Sequence, residues 1–287
     1  MRKWAWWGVA IAVWILPLDG EAYRRSRAAG TEMCLCWKSR TLPWTLDASG
    51  SKDVPFADVQ EAIRDSFDTW SSIPCSDLRF EEQPPVERRT VGYDGSGGAD
   101  NLIVFRTRAC AEVVRDEAPC HDAGTCANAY DCWDFSPNVI AVTTTSYRQD
   151  TGQIVDADIE LNEARFLFST VDEPVCTSEG QRGCVGTDVA NTVTHEIGHM
   201  LGLDHSEVAG AAMYASAEFG ETSKRELARD DEQAICDIYP AGEPTNVCEE
   251  AYGKRIPRGG GGGCTQAGGQ APGLAAIGLL LALRRRR

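Results

Sequence analysis

The 287-residue sequence predicts a single α+β domain. Three observations carry that prediction. Residues 56–70, FADVQEAIRDSFDTW, set Phe56, Val59, Ile63, Phe67 and Trp70 at spacings of three and four, an amphipathic helix. The runs NVIAVTTTSY and IVDADIELN are β-rich, and RQDTGQ between them reads as a hairpin turn. A second helical pattern, TDVANTVTHEIGHML at 187–201, lines up Val189, Val193, Ile197 and Leu201 as a core-facing stripe.

In chain order, residues 1–22 have Arg2 and Lys3, an apolar run and small residues ending at Ala22, the order of a secretory signal peptide. About ten polar or basic residues follow, and the domain is expected over 33–248. A first strand is expected around Leu42–Leu46, then the 56–70 helix, then a short buried strand in NLIVFR at 101–106. The hairpin leads to the 187–201 helix, with Thr187 or Asp188 as N-cap and Gly202 just past its end. SKRELARDDEQAICDIY, 223–239, predicts a last helix with Leu227, Ile235 and Ile238 on its core side. Residues 249–263 read as a glycine-rich spacer, and 264–287 hold Cys264, a short apolar stretch and four arginines.

Twelve cysteines suit an oxidising compartment and disulfides, though their spacing does not give the pairing. Residues 110–134 pack four of them with His121 into one insertion, read as a stapled loop rather than a second metal site. Cys34 and Cys36 suit disulfides, or a thiolate directed at a metal. The formal net charge of −15 argues against nucleic acid as a partner, and the terminal arginines understate how acidic the body is.

Three of the four histidines fall within THEIGHMLGLDHS, residues 194–206. On a helix, His195 and His199 lie one turn apart, roughly opposite the apolar stripe at about 100° per residue. The pair can share a zinc ion while the helix buries its other face. Gly202 accepts the left-handed turn that brings His205 back as a third ligand. Three neutral imidazoles leave one position for water, the pattern of a catalytic zinc, and Glu196 stands beside them as the general base.

HEIGHMLGLDH resembles the HExxHxxGxxH motif of the metzincin proteases, and GAAMYAS places Met213 where that group has its Met-turn. Ser206 after the third histidine, together with VQEAIRDSFDTWSSI, GQIVDADIELNE and ELARDDEQAICDIY, resembles the matrixin branch over about 40–240. The resemblance implies a twisted, mostly parallel five-stranded sheet with three helices and a horizontal cleft. It implies zinc on His195, His199 and His205, with Glu196 as base in peptide-bond hydrolysis of protein substrates.

It also makes calcium an expectation at Asp150, Asp156, Asp158 and Glu160, although alternation on one strand face equally reads as a solvated acidic stripe. Asp230 and Asp231 match the acidic pair that holds the N-terminal segment in that family. Four features depart from the pattern: too few residues before about 40 for a pro-domain, no second-zinc histidine set, Ala215 where proline is common, and no following substrate-binding domain.

The tail resembles the myxobacterial C-terminal sorting signal, with Cys264 before an apolar helix and an arginine cluster. That resemblance implies removal of the helix near Cys264 and retention at the cell surface, with a plain tail anchor as the alternative; the localisation expected is exported, at the cell surface or secreted. The competing expectation for the whole chain is a catalytically silent surface-binding module in which zinc only stabilises the fold.

Overall fold

A computed structural model describes residues 23–95, 100–244, 264–266 and 275–277. The expected signal peptide, the glycine spacer and most of the sorting tail lie outside these residues. Cys264 opens a three-residue strand discussed below.

Strands β1 (Arg24–Arg27), β2 (Thr41–Leu46), β3 (Arg79–Glu82), β4 (Leu102–Phe105), β5 (Ala141–Tyr147) and β6 (Ile154–Leu161) precede the histidine helix. Five of them form the main sheet in the order β5-β6-β4-β2-β3. Pairs β6–β4, β4–β2 and β2–β3 are parallel, and only β5 runs antiparallel, as the hairpin partner of β6. The mostly parallel sheet is therefore as expected. Strand β1 was not legible: RRSR is basic, yet it pairs with residues 203–204 far along the chain. Strand β3, RFEE, escaped for the same lack of an apolar run.

Helix α1 (Phe56–Ser71) buries Val59, Ile63, Phe67 and Trp70 of the stripe its spacing predicts, and leaves Phe56 at its start half-buried. Phe67 stacks on Trp44 of β2 with ring centroids 4.8 Å apart, which seats the helix on the sheet. Three short helices, α2 (Cys110–Val113), α3 (Cys120–Ala123) and α4 (Cys126–Tyr130), form the insertion after β4. Disulfides Cys110–Cys132 and Cys120–Cys126 staple it, as the cysteine reading favoured. Two-residue strands β7 (Phe168–Ser169) and β8 (Thr187–Asp188) pair in parallel just before the histidine helix, α5 (Val189–Met200).

Strand β9 (Leu203–Asp204) follows α5, and α6 (Arg229–Ile238) closes the body. Helix α6 begins six residues later than the sequence suggested. Ser223–Arg225 form a separate 3-10 turn, because the Lys224 amide donates to Asn191 Oδ1 (2.8 Å) and Arg225 pairs with Asp188. Those side-chain bonds to α5 replace the helical ladder there. Cys75–Cys236 ties the chain just past α1 to α6, and Cys176–Cys184 closes a loop before β8. Cys34 and Cys36 are both disulfide-bonded, so neither offers a thiolate to a metal in this structure.

Two further three-residue strands come from the C-terminal stretch. β10 (Cys264–Gln266) runs parallel to β1, and β11 (Ala275–Ile277) runs antiparallel along the outer edge of β5.

The acidic residues of β6 do not form a solvated stripe. Ala157, Ile159 and Leu161 face the main core, while Asp156, Asp158 and Glu160 are buried on the other face. Asp158 accepts from the Leu102 amide (2.7 Å) and also from the Gly92 amide, and Glu160 takes Arg106 Nε at 2.6 Å. With Asp158 and Glu160 committed to protein donors, and Asp150 exposed in the hairpin turn, the four expected calcium ligands do not converge into one cluster.

Candidate metal centre

Asp188 starts α5 by accepting from the Asn191 amide at 2.7 Å, a side-chain N-cap. Its carboxylate also pairs with Arg225 through two nitrogens, at 2.9 and 2.6 Å. Val189, Val193, Ile197 and Leu201 are fully buried, and Trp70 of α1 donates its indole N–H to the Thr194 carbonyl (2.9 Å). That packing fixes the rotation of α5 and sends His195 and His199 to its opposite side. Gly202, at φ +89°, turns the chain into β9 and delivers His205. A Cβ at Gly202 would stand 2.5 Å from the Leu35 carbonyl oxygen, so the turn is closed to other residues on two counts.

The structure brings His195, His199 and His205 together, with one ring nitrogen from each within 4.8 Å of the others. His195 Nδ1 lies 2.6 Å from the Ala212 carbonyl, and His199 Nδ1 lies 2.9 Å from the Leu203 carbonyl. A carbonyl only accepts, so each Nδ1 carries the proton and each Nε2 presents its lone pair. The Nε2 atoms of His195 and His205 face each other at 3.3 Å. The His195 Nε2 lone pair at that range needs either a proton on His205 Nε2 or a cation between the two nitrogens. Two nitrogens on a tetrahedral zinc at 2.0–2.1 Å would be about 3.3–3.4 Å apart, so the trio fits zinc. Burial drives all three imidazoles below their usual pKa, His199 to about 3, which keeps them neutral as ligands.

Glu196 is buried beside them. Burial raises its carboxyl to about 7, while the Thr143 hydroxyl, 2.7 Å from Oε2, opposes that shift. Thr143 lies on β5, and its role was not legible in a run of three threonines.

Met213 is buried under α5: a Cβ on Gly198 would fall 2.1 Å from its sulfur. Its amide and that of Ala212 donate to the buried Asp231 carboxylate, which also caps α6 through the Ala228 amide. Asp231 therefore fixes the Ala212 carbonyl that orients His195. Asp230 accepts from the Tyr23 amide (2.9 Å) and the Ser206 hydroxyl (2.6 Å), so this member of the expected acidic pair holds the N-terminal segment, while Asp231 serves the Met213 turn and α6 instead. His121, by contrast, stands apart with Cys126 and Asp134, and Cys126 is spent in a disulfide.

The three histidines and Glu196 open into a cavity of about 300 Å³. Its walls include Ile140 and Ala141 beside β5 and Ala215–Ala217 after Met213, and Lys224 reaches it from the 3-10 turn. Lys224 was read only as part of a helix; nothing local in its sequence marked it.

The family described as matrixin matches residues 127–240, which hold β5, β6, all three histidines, Met213 and α6. Karilysin of Tannerella forsythia is 39% identical over 70 residues, covering 23% of this chain and 14% of that protein. Matrix metalloproteinase-16 of Homo sapiens is 27% identical over 191 residues, 66% of this chain and 25% of that protein. The probable matrix metalloproteinase 095L of Invertebrate iridescent virus 3 is 30% identical over 138 residues, 47% of this chain and 31% of that protein. The chain thus spans a third or less of the length of these relatives. The α+β fold, the three converging imidazoles and these matches together support a matrixin-like metalloprotease domain.

Proposed function

We propose that this chain is an exported zinc-dependent endopeptidase. The observation that carries the reading is three converging imidazoles, two of them oriented by Nδ1–carbonyl bonds, beside a buried glutamate in an open cleft. His195, His199 and His205 would hold the zinc. When bound, zinc lowers the pKa of a coordinated water and polarises the scissile carbonyl. Glu196 takes the proton of that water and returns it to the leaving amine, a transfer suited to a carboxyl near pKa 7. Thr143 holds one Glu196 oxygen and leaves the other for the proton. A substrate strand would add to the β5 edge, where β11 shows antiparallel pairing. Residues 211–214 act as the Met-turn, keeping a soft apolar floor beneath the ligands.

Residues 1–22 serve as the signal peptide, and the Cys264 tail sorts the protein to the cell surface. Its substrates are proteins or peptides.

The test is digestion of a denatured protein mixture by the purified, zinc-loaded chain, with and without a chelator. Cleavage should stop with chelator and fall by about 10²-fold or more in Glu196→Ala, with zinc content unchanged. A variant that binds zinc and cleaves at the wild-type rate would remove Glu196 from the mechanism. Zinc binding without any cleavage would leave a binding module.

A further inference from the structure

The cleft beside the histidines holds a charge that the hydrolytic chemistry does not use. Lys224 is 3% exposed, yet it lines the same cavity as His195 and Glu196. Its Nζ donates to the Tyr214 carbonyl (2.6 Å) and the Ser216 carbonyl (2.8 Å). An ammonium has three N–H donors, and these two carbonyls account for two of them. Among the described residues, no carboxylate comes within ion-pair distance of it. Glu221, the acidic neighbour that acts most strongly on it, is committed elsewhere: its oxygens accept from the Glu218 amide and the Ser223 hydroxyl. Glu196 also acts on it electrostatically, but its Oε2 is engaged by the Thr143 hydroxyl (2.7 Å) and it forms no ion pair with Lys224.

Lys224 is also rigidly presented. Its amide is tied to Asn191 Oδ1 at 2.8 Å, and the adjacent Arg225 is locked to Asp188 at the start of α5. Ile140, Ala141, Ala215 and Ala217 give part of the wall an apolar surface that suits the methylenes of a side chain, and Asn138, Asn191, Thr192 and Ser216 make the rest polar. The cavity therefore pairs a partly apolar wall with one preorganised, nearly buried cation.

We propose that Lys224 makes this cavity a receptor for an acidic substrate side chain, so that the enzyme cleaves next to glutamate or aspartate. This rests on the endopeptidase reading above. A buried ammonium without a counter-ion is costly, and an entering carboxylate supplies one where water is scarce. An aliphatic side chain would cover the ammonium further and leave it unpaired, so the same group rejects as well as selects. The Tyr214 and Ser216 carbonyls would keep Lys224 in place throughout.

The experiment has a cleavage arm and a binding arm. A proteome-derived peptide library is digested by the zinc-loaded wild type, Lys224→Met and Lys224→Arg, and cleavage sites are mapped by mass spectrometry. Glutamate and aspartate should be enriched roughly tenfold or more over leucine at one position flanking the scissile bond. Lys224→Met should reverse that ratio, and Lys224→Arg should keep it. In the binding arm, fluorescein-labelled peptides differing only in Glu or Leu at that position are titrated onto Glu196→Ala protein, where turnover plays no part. If the library shows no flanking preference, the Glu and Leu peptides are compared at each central position.

Leucine preference in the wild type, or an equal loss on all substrates in Lys224→Met, would overturn the proposal and leave Lys224 a structural clamp. Should nothing be cleaved, the endopeptidase reading fails, and the binding arm still decides: equal affinity for both peptides refutes the acidic pocket. Should Lys224→Met fail to fold, the wild-type ratio and Lys224→Arg carry the decision.

Discussion

Gly202→Ala tests whether a single turn both stabilises the body and builds the metal centre. The glycine sits at φ +89°, a conformation that costs an L-residue roughly 1–2 kcal/mol. An added Cβ would also lie 2.5 Å from the Leu35 carbonyl oxygen and 3.1 Å from its carbon. Leu35 cannot retreat freely, because it is buried and its amide is bonded to Ser26 (2.8 Å). Forcing such a contact adds about 1–3 kcal/mol, for a total near 2–5 kcal/mol.

Gly210 is a built-in control: its φ is +88°, and an added Cβ there meets nothing within 4 Å. Gly210→Ala should therefore cost only the backbone share, about 1–2 kcal/mol. The assay is equilibrium guanidinium unfolding of the metal-free, disulfide-intact proteins, followed by tryptophan fluorescence. Zinc affinity is then measured by competition with a chelating dye. Gly202→Ala should bind zinc more weakly, since the turn positions His205, and Gly210→Ala should bind it less weakly affected. If the two variants lose the same stability within about 0.5 kcal/mol, the Leu35 clash is not what reserves position 202 for glycine.

Two other perturbations follow from the same structure. Asp188→Ala removes the α5 cap and leaves Arg225 without its buried partner, which should cost about 2–4 kcal/mol in guanidinium unfolding; Asp188→Asn, which keeps the cap, should cost less. A loss under about 0.5 kcal/mol for Asp188→Ala would show that neither contact matters. Asp156 is raised to about 8 by burial first and then by Asp158 and Asp100, against the opposing charge of Arg88. A carboxyl raised above its unfolded value of 3.8 supports the fold most fully at low pH, and that support is lost as pH rises through about 8. Asp156→Asn should therefore flatten the fall in thermal stability between roughly pH 4 and 8 and melt higher than wild type above that range. An unchanged pH slope would show that Asp156 ionises normally.

Much of this protein was legible because its strongest signals are local. The stripes of α1 and α5, the β5–β6 hairpin, Gly202 and the HExxHxxGxxH spacing each lie within a few turns of chain. Periodicity and metal-ligand geometry act over the same short range, so spacing alone placed His195, Glu196, His199 and His205. The sequence could not show what depends on distant partners. The basic β1 finds its place only against β9, and the start of α6 is set by bonds from Lys224 and Arg225 back to α5. The β6 carboxylates read equally as calcium ligands or as a solvated stripe because alternation reports a face, not what covers it; Arg106 and the amides of Gly92 and Leu102 occupy Glu160 and Asp158 there. Thr143 on Glu196, the carbonyls behind His195 and His199, and Lys224 in the cleft share that reason. Ligand identity is written in the spacing of a few residues, whereas their orientation, their protonation and the charge of the pocket they face arise where separate elements meet.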